Sequence, residues 1–125
     1  MKAGLQEING TVGVWGSLLC NNQGEIIENL SPPALNSSTL ENISRHVVEL
    51  LSYAADNLAG LEEVVFHFQE RKVLAVDLQQ AVLLVICTHS VDIPLLRMSV
   101  NVVLAHWKDD SAVKKQFKAH FVERM

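Results

Sequence analysis

The sequence predicts an α/β sandwich, a five-stranded antiparallel sheet with helices on both faces. Three observations carry this. The run Ala81–Cys87 is apolar at every position, as a central strand covered on both faces requires. Short polar turns, Glu70-Arg71-Lys72 and Gln79-Gln80, set two more strand-like segments directly before it. Between Ser38 and Gly60 apolar residues recur at helical spacing. With 125 residues, 49% of them apolar, the chain has room for one such core.

The elements follow in order. Residues 2–9 read as a short helix. Val14–Cys20 reads as a strand, Asn21-Asn22-Gln23-Gly24 as a turn with Gly where a positive φ is wanted, and Glu25–Leu30 as the returning strand. Residues 31–38 form a loop, because Pro32 and Pro33 cannot donate to a ladder. Ser38-Thr39-Leu40-Glu41 then has the form of a capping box that opens a long helix. Its stripe is Leu40, Ile43, Val47, Leu50, Leu51, Ala54 and Leu58, and Gly60 is a fitting stop. Val48, Ala55 and Ala59, with Ser44 and Ser52, widen the uncharged arc to nearly half the helix. A helix covering one sheet face needs only the narrower stripe. The small-residue flank permits a second helix to approach, from this chain or from another copy.

Leu61–Gln69 alternates, with Val64, Phe66 and Phe68 on one face and Val65, His67 and Gln69 on the other. Val73–Leu78 and Ala81–Cys87 complete a meander. Asp92 can cap a final helix with Pro94 in its first turn, and Ile93, Leu96, Val100, Val103, Leu104 and Trp107 form its stripe. Tight turns make consecutive strands neighbours. Joining the hairpin to the meander therefore places the doubly buried last strand beside the first.

The composition excludes several functions. A formal charge of −4 argues against a nucleic-acid binder that works by phosphate neutralisation. The charge is uneven: residues 1–107 hold five Lys/Arg against eleven Asp/Glu, net −6, and residues 108–125 hold five against three, net +2. Cys20 and Cys87 are too few and too far apart for a disulfide scaffold, and are expected as buried reduced thiols. No apolar leader opens the chain, and the longest strongly apolar run is far shorter than a membrane helix, so a soluble cytoplasmic protein is expected.

A screen for chemistry finds no catalytic constellation. Gly10, Gly13 and Gly16 are not followed by Gly-Lys-Ser/Thr, and Val14-Trp15-Gly16-Ser17-Leu18 lacks the glycines of a nucleophile elbow. His46, His67, His89, His106 and His120 are scattered without metal-ligand spacing. The acid pairs Glu62-Glu63 and Asp109-Asp110 are adjacent in sequence, so their side chains diverge. No catalytic residue, cofactor or metal site is expected, and the chain is not read as an enzyme.

Gly13-Val14-Trp15-Gly16-Ser17-Leu18-Leu19-Cys20-Asn21-Asn22-Gln23-Gly24-Glu25-Ile26-Ile27 resembles the opening hairpin of roadblock (dynein light chain roadblock-type) domains. Leu61-Glu62-Glu63-Val64-Val65 is similar to the family's third strand, and Ile93-Pro94-Leu95-Leu96-Arg97 to the start of its last helix. Two departures stand out: Asp92-Ile93-Pro94 where the family often has Asn-Leu-Gly, and Asn21 where Asp is common. The resemblance spans about residues 5–107 and is to a prokaryotic-type, single-domain member. It divides the chain into a roadblock-like domain, residues 1–107, and a C-terminal amphipathic extension, residues 108–125.

The resemblance implies one helix on one sheet face and two on the other. It also implies a non-enzymatic homodimer that acts as an adaptor or regulator for a partner protein, a small Ras-like GTPase in particular. The alternative is a small-ligand sensor with an apolar pocket between sheet and helices. Family dimers use the long helix and the third strand. That points here to Val48, Leu51 and Ala55 on the helix and to Val65, Phe66 and His67 on the strand. In the extension, Val113, Phe117, His120 and Phe121 share one helical stripe flanked by Lys114, Lys115 and Lys118. Either the stripe folds back on the chain, or Val113, Phe117 and Phe121 dock into a partner's groove.

Overall fold

The computed structural model describes residues 1–57 and 62–123, and no side chain among residues 55–57. The elements are α1 (Lys2–Asn9), β1 (Val14–Asn21), β2 (Ile26–Leu30), α2 (Ser37–Asn57), β3 (Glu63–His67), β4 (Lys72–Asp77), β5 (Ala81–Cys87), α3 (Ile93–Lys108) and α4 (Ser111–His120). The sheet is antiparallel with strand order β2-β1-β5-β4-β3. The expected junction is therefore present, with β5 paired to β1 from Val14↔Cys87 to Asn21↔Ala81.

All seven residues of β5 are buried, because layers of side chains cover both of its faces. On one face Leu18, Cys20, Val73, Ala75, Val82, Leu84 and Ile86 meet Leu40, Val47, Val48 and Leu51 of α2. On the other, Leu19, Leu74, Leu83, Val85 and Cys87 meet Leu5 and Ile8 of α1 and Leu96, Val100, Val103 and Trp107 of α3. The family resemblance implied two helices there. The structure adds a third, since Val113 and Phe117 of α4 join the same layer.

Local signals explain most boundaries. Gly24 has φ +84° and closes the β1–β2 turn, with its N–H donating to the Asn21 carbonyl at 3.1 Å. Asp92 caps α3 by accepting from the Leu95 N–H, with Pro94 in the first turn. Asp110 caps α4 by accepting from Ala112 and Val113. One expectation needs correcting. The cap of α2 is Asn36, whose Oδ1 accepts from the Thr39 N–H at 2.8 Å, so Ser38 lies inside the helix rather than at its mouth. The predicted helix residues Leu58, Ala59 and Gly60, and the strand start at Leu61, lie outside the described residues.

Both cysteines are free and buried, Cys20 in the α2-side layer and Cys87 in the opposite one. Burial pushes the Cys20 thiol up to about 12 and the Cys87 thiol up to about 11, with Lys72 pulling the latter back. A thiol whose pKa is raised by folding contributes stability below its unfolded pKa and loses it above. Stability should hold up to about pH 9 and fall as the pH rises toward 12. Both thiols are expected to resist a disulfide reagent in the native chain at about pH 8 and to react in denaturant. Rapid native labelling of either would contradict this packing.

Candidate interaction surface

The sheet has two edges, and they differ. At β2, α1 lies close: Asn9 Nδ2 donates to the Leu30 carbonyl at 2.9 Å, and Lys2 stands 4.0 Å from Glu28. Ser17 Oγ donates to Asn9 Oδ1 at 2.7 Å and fixes that contact from within the sheet. At β3, no backbone bond is made on the outward side among the described residues. Such an edge is a template for another strand.

Apolar side chains border the open edge. Val64 and Phe66 are only partly buried against the α2-side layer. Phe68, just past β3, is 38% exposed and shares a groove with Ile43, Val73 and Ile86. Leu50, seven residues after Ile43 and on the same side of α2, is 38% exposed, and Tyr53 is 72% exposed. An exposed phenylalanine and an apolar groove beside an unpaired strand mark an interaction surface.

The strand residues singled out from the sequence sit where they were expected, with Val65 and Phe66 half-buried and His67 exposed on the edge strand. The helix residues do not. Val48 is 6% and Leu51 3% exposed, because both point into the layer between α2 and the sheet of their own chain. Ala55 falls outside the described side chains. The uncharged arc of α2 is wide because one flank, with Ser44 and Val48, settles on the β1–β2 turn. Ser44 Oγ donates to the Gly24 carbonyl at 2.7 Å there. The opposite flank carries Ile43, which shares a groove with Phe68, and the exposed Leu50 and Tyr53.

The C-terminal stripe divides similarly. Val113 and Phe117 are buried, and Phe117 meets Trp107 edge-to-face with ring centroids 6.2 Å apart. They are core residues and offer nothing to a partner's groove. Past α4 the chain rounds the end of the sheet. Asn21 Nδ2 donates to the His120 carbonyl at 2.9 Å, Asn22 Nδ2 donates to the Val122 carbonyl at 2.6 Å, and the Val122 N–H donates back to Asn22 Oδ1 at 2.9 Å. Asn22 thus pairs with Val122 as a neighbouring strand would. Phe121, still partly exposed, is brought to the α2 side, where it lines a cavity of about 520 Å³ with Val48, Leu51, Ser52 and Val82.

Sequence reasoning missed two further surface features. A bulge between Val14 and Gly16 turns Trp15 outward, and the Arg71 guanidinium stacks on its ring at 4.2 Å. The outer face of α3 exposes Leu95, Met98 and Val102, one helical stripe. Among the described residues no three His, Cys, Asp or Glu side chains converge as a metal site would require, and no helix is long and apolar enough to cross a membrane.

No protein-family model matches the sequence, and no curated protein does. Solved structures do match in shape. The gliding protein MglB from Thermus thermophilus superposes with a TM-score of 0.71 at 13% identity, over 94% of this chain and 88% of that one. A roadblock/LC7 domain from Streptomyces avermitilis gives 0.69 at 11% identity, over 86% and 91%. An MglB structure described as having a tetrameric arrangement gives 0.70 at 12% identity, over 95% and 88%. The fold is that of roadblock domains.

Proposed function

From this roadblock-type fold we propose that the chain is a non-enzymatic homodimeric adaptor that regulates a partner protein. A small Ras-like GTPase is the partner the family resemblance implies. The observation that carries the reading is the β3 edge, unpaired among the described residues, with Phe68 exposed at its end and Leu50 exposed on the flank of α2 that carries Ile43. A twofold axis along that edge pairs identical strands and sets the outer flanks of the two α2 helices against each other. The tetrameric arrangement of an MglB structure supports self-association of this fold. The buried Val48 and Leu51 take no part; Leu50, Tyr53, Val65, Phe66, His67 and Phe68 do.

Sedimentation at micromolar concentration is expected to show a dimer for the natural chain. Leu50→Asp combined with Phe68→Asp should give a folded monomer, because both sites are partly solvated and a charge there costs the fold little. A monomeric natural chain would overturn the dimer. The partner is tested by capture from native lysate with GDP and with a non-hydrolysable GTP analogue. A GTPase retained in one nucleotide state is the expected result, and its absence in both counts against the GTPase. The ligand-sensor alternative, which would use the cavity beside Phe121, requires a small molecule that raises the melting temperature without any protein partner.

A further inference from the structure

We propose that two copies join through β3 in one register, with the twofold axis at Val65, so that Glu63 of each copy lies opposite His67 of the partner subunit; this rests on the dimer reading above. The main chain sets the register. The Phe68 N–H donates to the Arg71 carbonyl at 2.8 Å, and the Asp77 N–H donates to the Glu62 carbonyl at 2.7 Å. Between them the β3–β4 ladder runs unbroken from Glu63↔Val76 to His67↔Lys72. Antiparallel bonding alternates, so residues 62, 64, 66 and 68 bond toward β4. The N–H and C=O groups of Glu63, Val65 and His67 therefore face outward.

A twofold axis at Val65 uses all three of these residues. It pairs Glu63 with the partner's His67, Val65 with the partner's Val65 and His67 with the partner's Glu63. With two hydrogen bonds for each of the three pairs, there are six in all. Moving the axis to Val64 or Phe66 leaves two such pairs within β3. Moving it to Glu63 or His67 leaves one.

The side chains favour the same register. On the face that carries α2, Val64 falls opposite the partner's Phe66, apolar on apolar. On the other face Val65 meets its own copy, and Glu63 meets an imidazole that can donate to it. Arg97 of α3 already holds Glu63 in an ion pair, which fixes the carboxylate beside the seam. An axis at Val64 would instead set Phe66, inside the strand, against the partner's Glu62, whereas the Val65 axis moves that mismatch out past the strand end, to Phe68. An axis at Phe66 would set Glu63 against the partner's Gln69 and leave His67 facing Val65.

Engineered cysteines read this directly, because Cys20 and Cys87 are buried and stay protonated. Directly opposed residues of a hydrogen-bonded antiparallel pair have Cα atoms about 5.5 Å apart, within disulfide reach. Val65→Cys chains are expected to cross-link to themselves under mild oxidation. Glu63→Cys alone and His67→Cys alone should not, since identical positions would lie about 13 Å apart along the seam. An equal mixture of those two should cross-link. Self-linking of Glu63→Cys, of His67→Cys, or of Phe66→Cys in preference to Val65→Cys would overturn the register. So would dimers, verified by sedimentation of each variant, in which none of these cross-links forms. A natural chain that sediments as a monomer would overturn the dimer reading itself, which the cross-links then do not address.

Discussion

Removal of residues 109–125 is expected to lower the unfolding free energy by about 3–6 kcal/mol, taking about 1.5–3 kcal/mol for each of the two large apolar side chains withdrawn from the core. Val113 and Phe117 are buried against α3, and Phe117 is the edge-to-face partner of Trp107. Without them one side of Trp107 meets water, and Asn21 and Asn22 lose their tail partners. At this chain length 1 kcal/mol corresponds to roughly 4 °C, so the melting temperature should fall by more than about 10 °C. Circular dichroism during a thermal melt measures it. A change of under about 2 °C with an intact fold would show that α4 contributes nothing to the core.

Gly24→Ala is expected to cost about 3 kcal/mol, from a left-handed backbone worth about 1–2 kcal/mol and crowding of a similar size. The φ of +84° disfavours any side chain. A Cβ there would also stand 2.6 Å from Arg45 Cα and 2.9 Å from Arg45 N, both backbone atoms of α2 that cannot swing aside. Gly10 is the control. Its φ is −70°, and a Cβ there would meet only backbone carbonyls of α1, the nearer at 3.2 Å, so Gly10→Ala should stay within about 0.5 kcal/mol of the natural chain. Denaturant melts compare the two. Equal stability of both variants would mean that the turn does not bear on α2.

The sheet was legible because its residues allow one arrangement. Ala81–Cys87 has no polar position to offer solvent, and only a central strand satisfies that. The direction of α2 was not legible. Ile43 and Val48 are equally apolar, and periodicity reports how wide an arc is without saying which flank meets the sheet. Contact with the Gly24 turn decides that, through Ser44 and Arg45. The start of α2 was read from Ser38 alone, and Asn36, two residues earlier, starts the helix sooner by capping the Thr39 N–H. Val113 and Phe117 showed their stripe in the sequence but not what it covers. The pairing of Asn22 with Val122 had no signal, because two Asn before Gln-Gly are already accounted for by the turn they form.

The placement of β5 has a consequence for how the chain is made. β5 is the last strand in sequence and the middle one in space, with β1 on one side and β4 on the other. A nascent chain that has emerged as far as Gln80 holds the β1–β2 and β3–β4 hairpins with nothing between them. Each presents an unpaired inner edge, and the apolar layers on both faces lack their central strand. Long-range pairing of this kind is slow and leaves sticky intermediates exposed. Synthesis therefore passes through a long stretch, from the end of α2 to β5, in which local hairpins can form but the sheet cannot close. Ala81–Cys87 sets the moment of commitment: as it leaves the ribosome it can insert between two waiting edges and close the sheet, and α3 and α4 then complete the second layer.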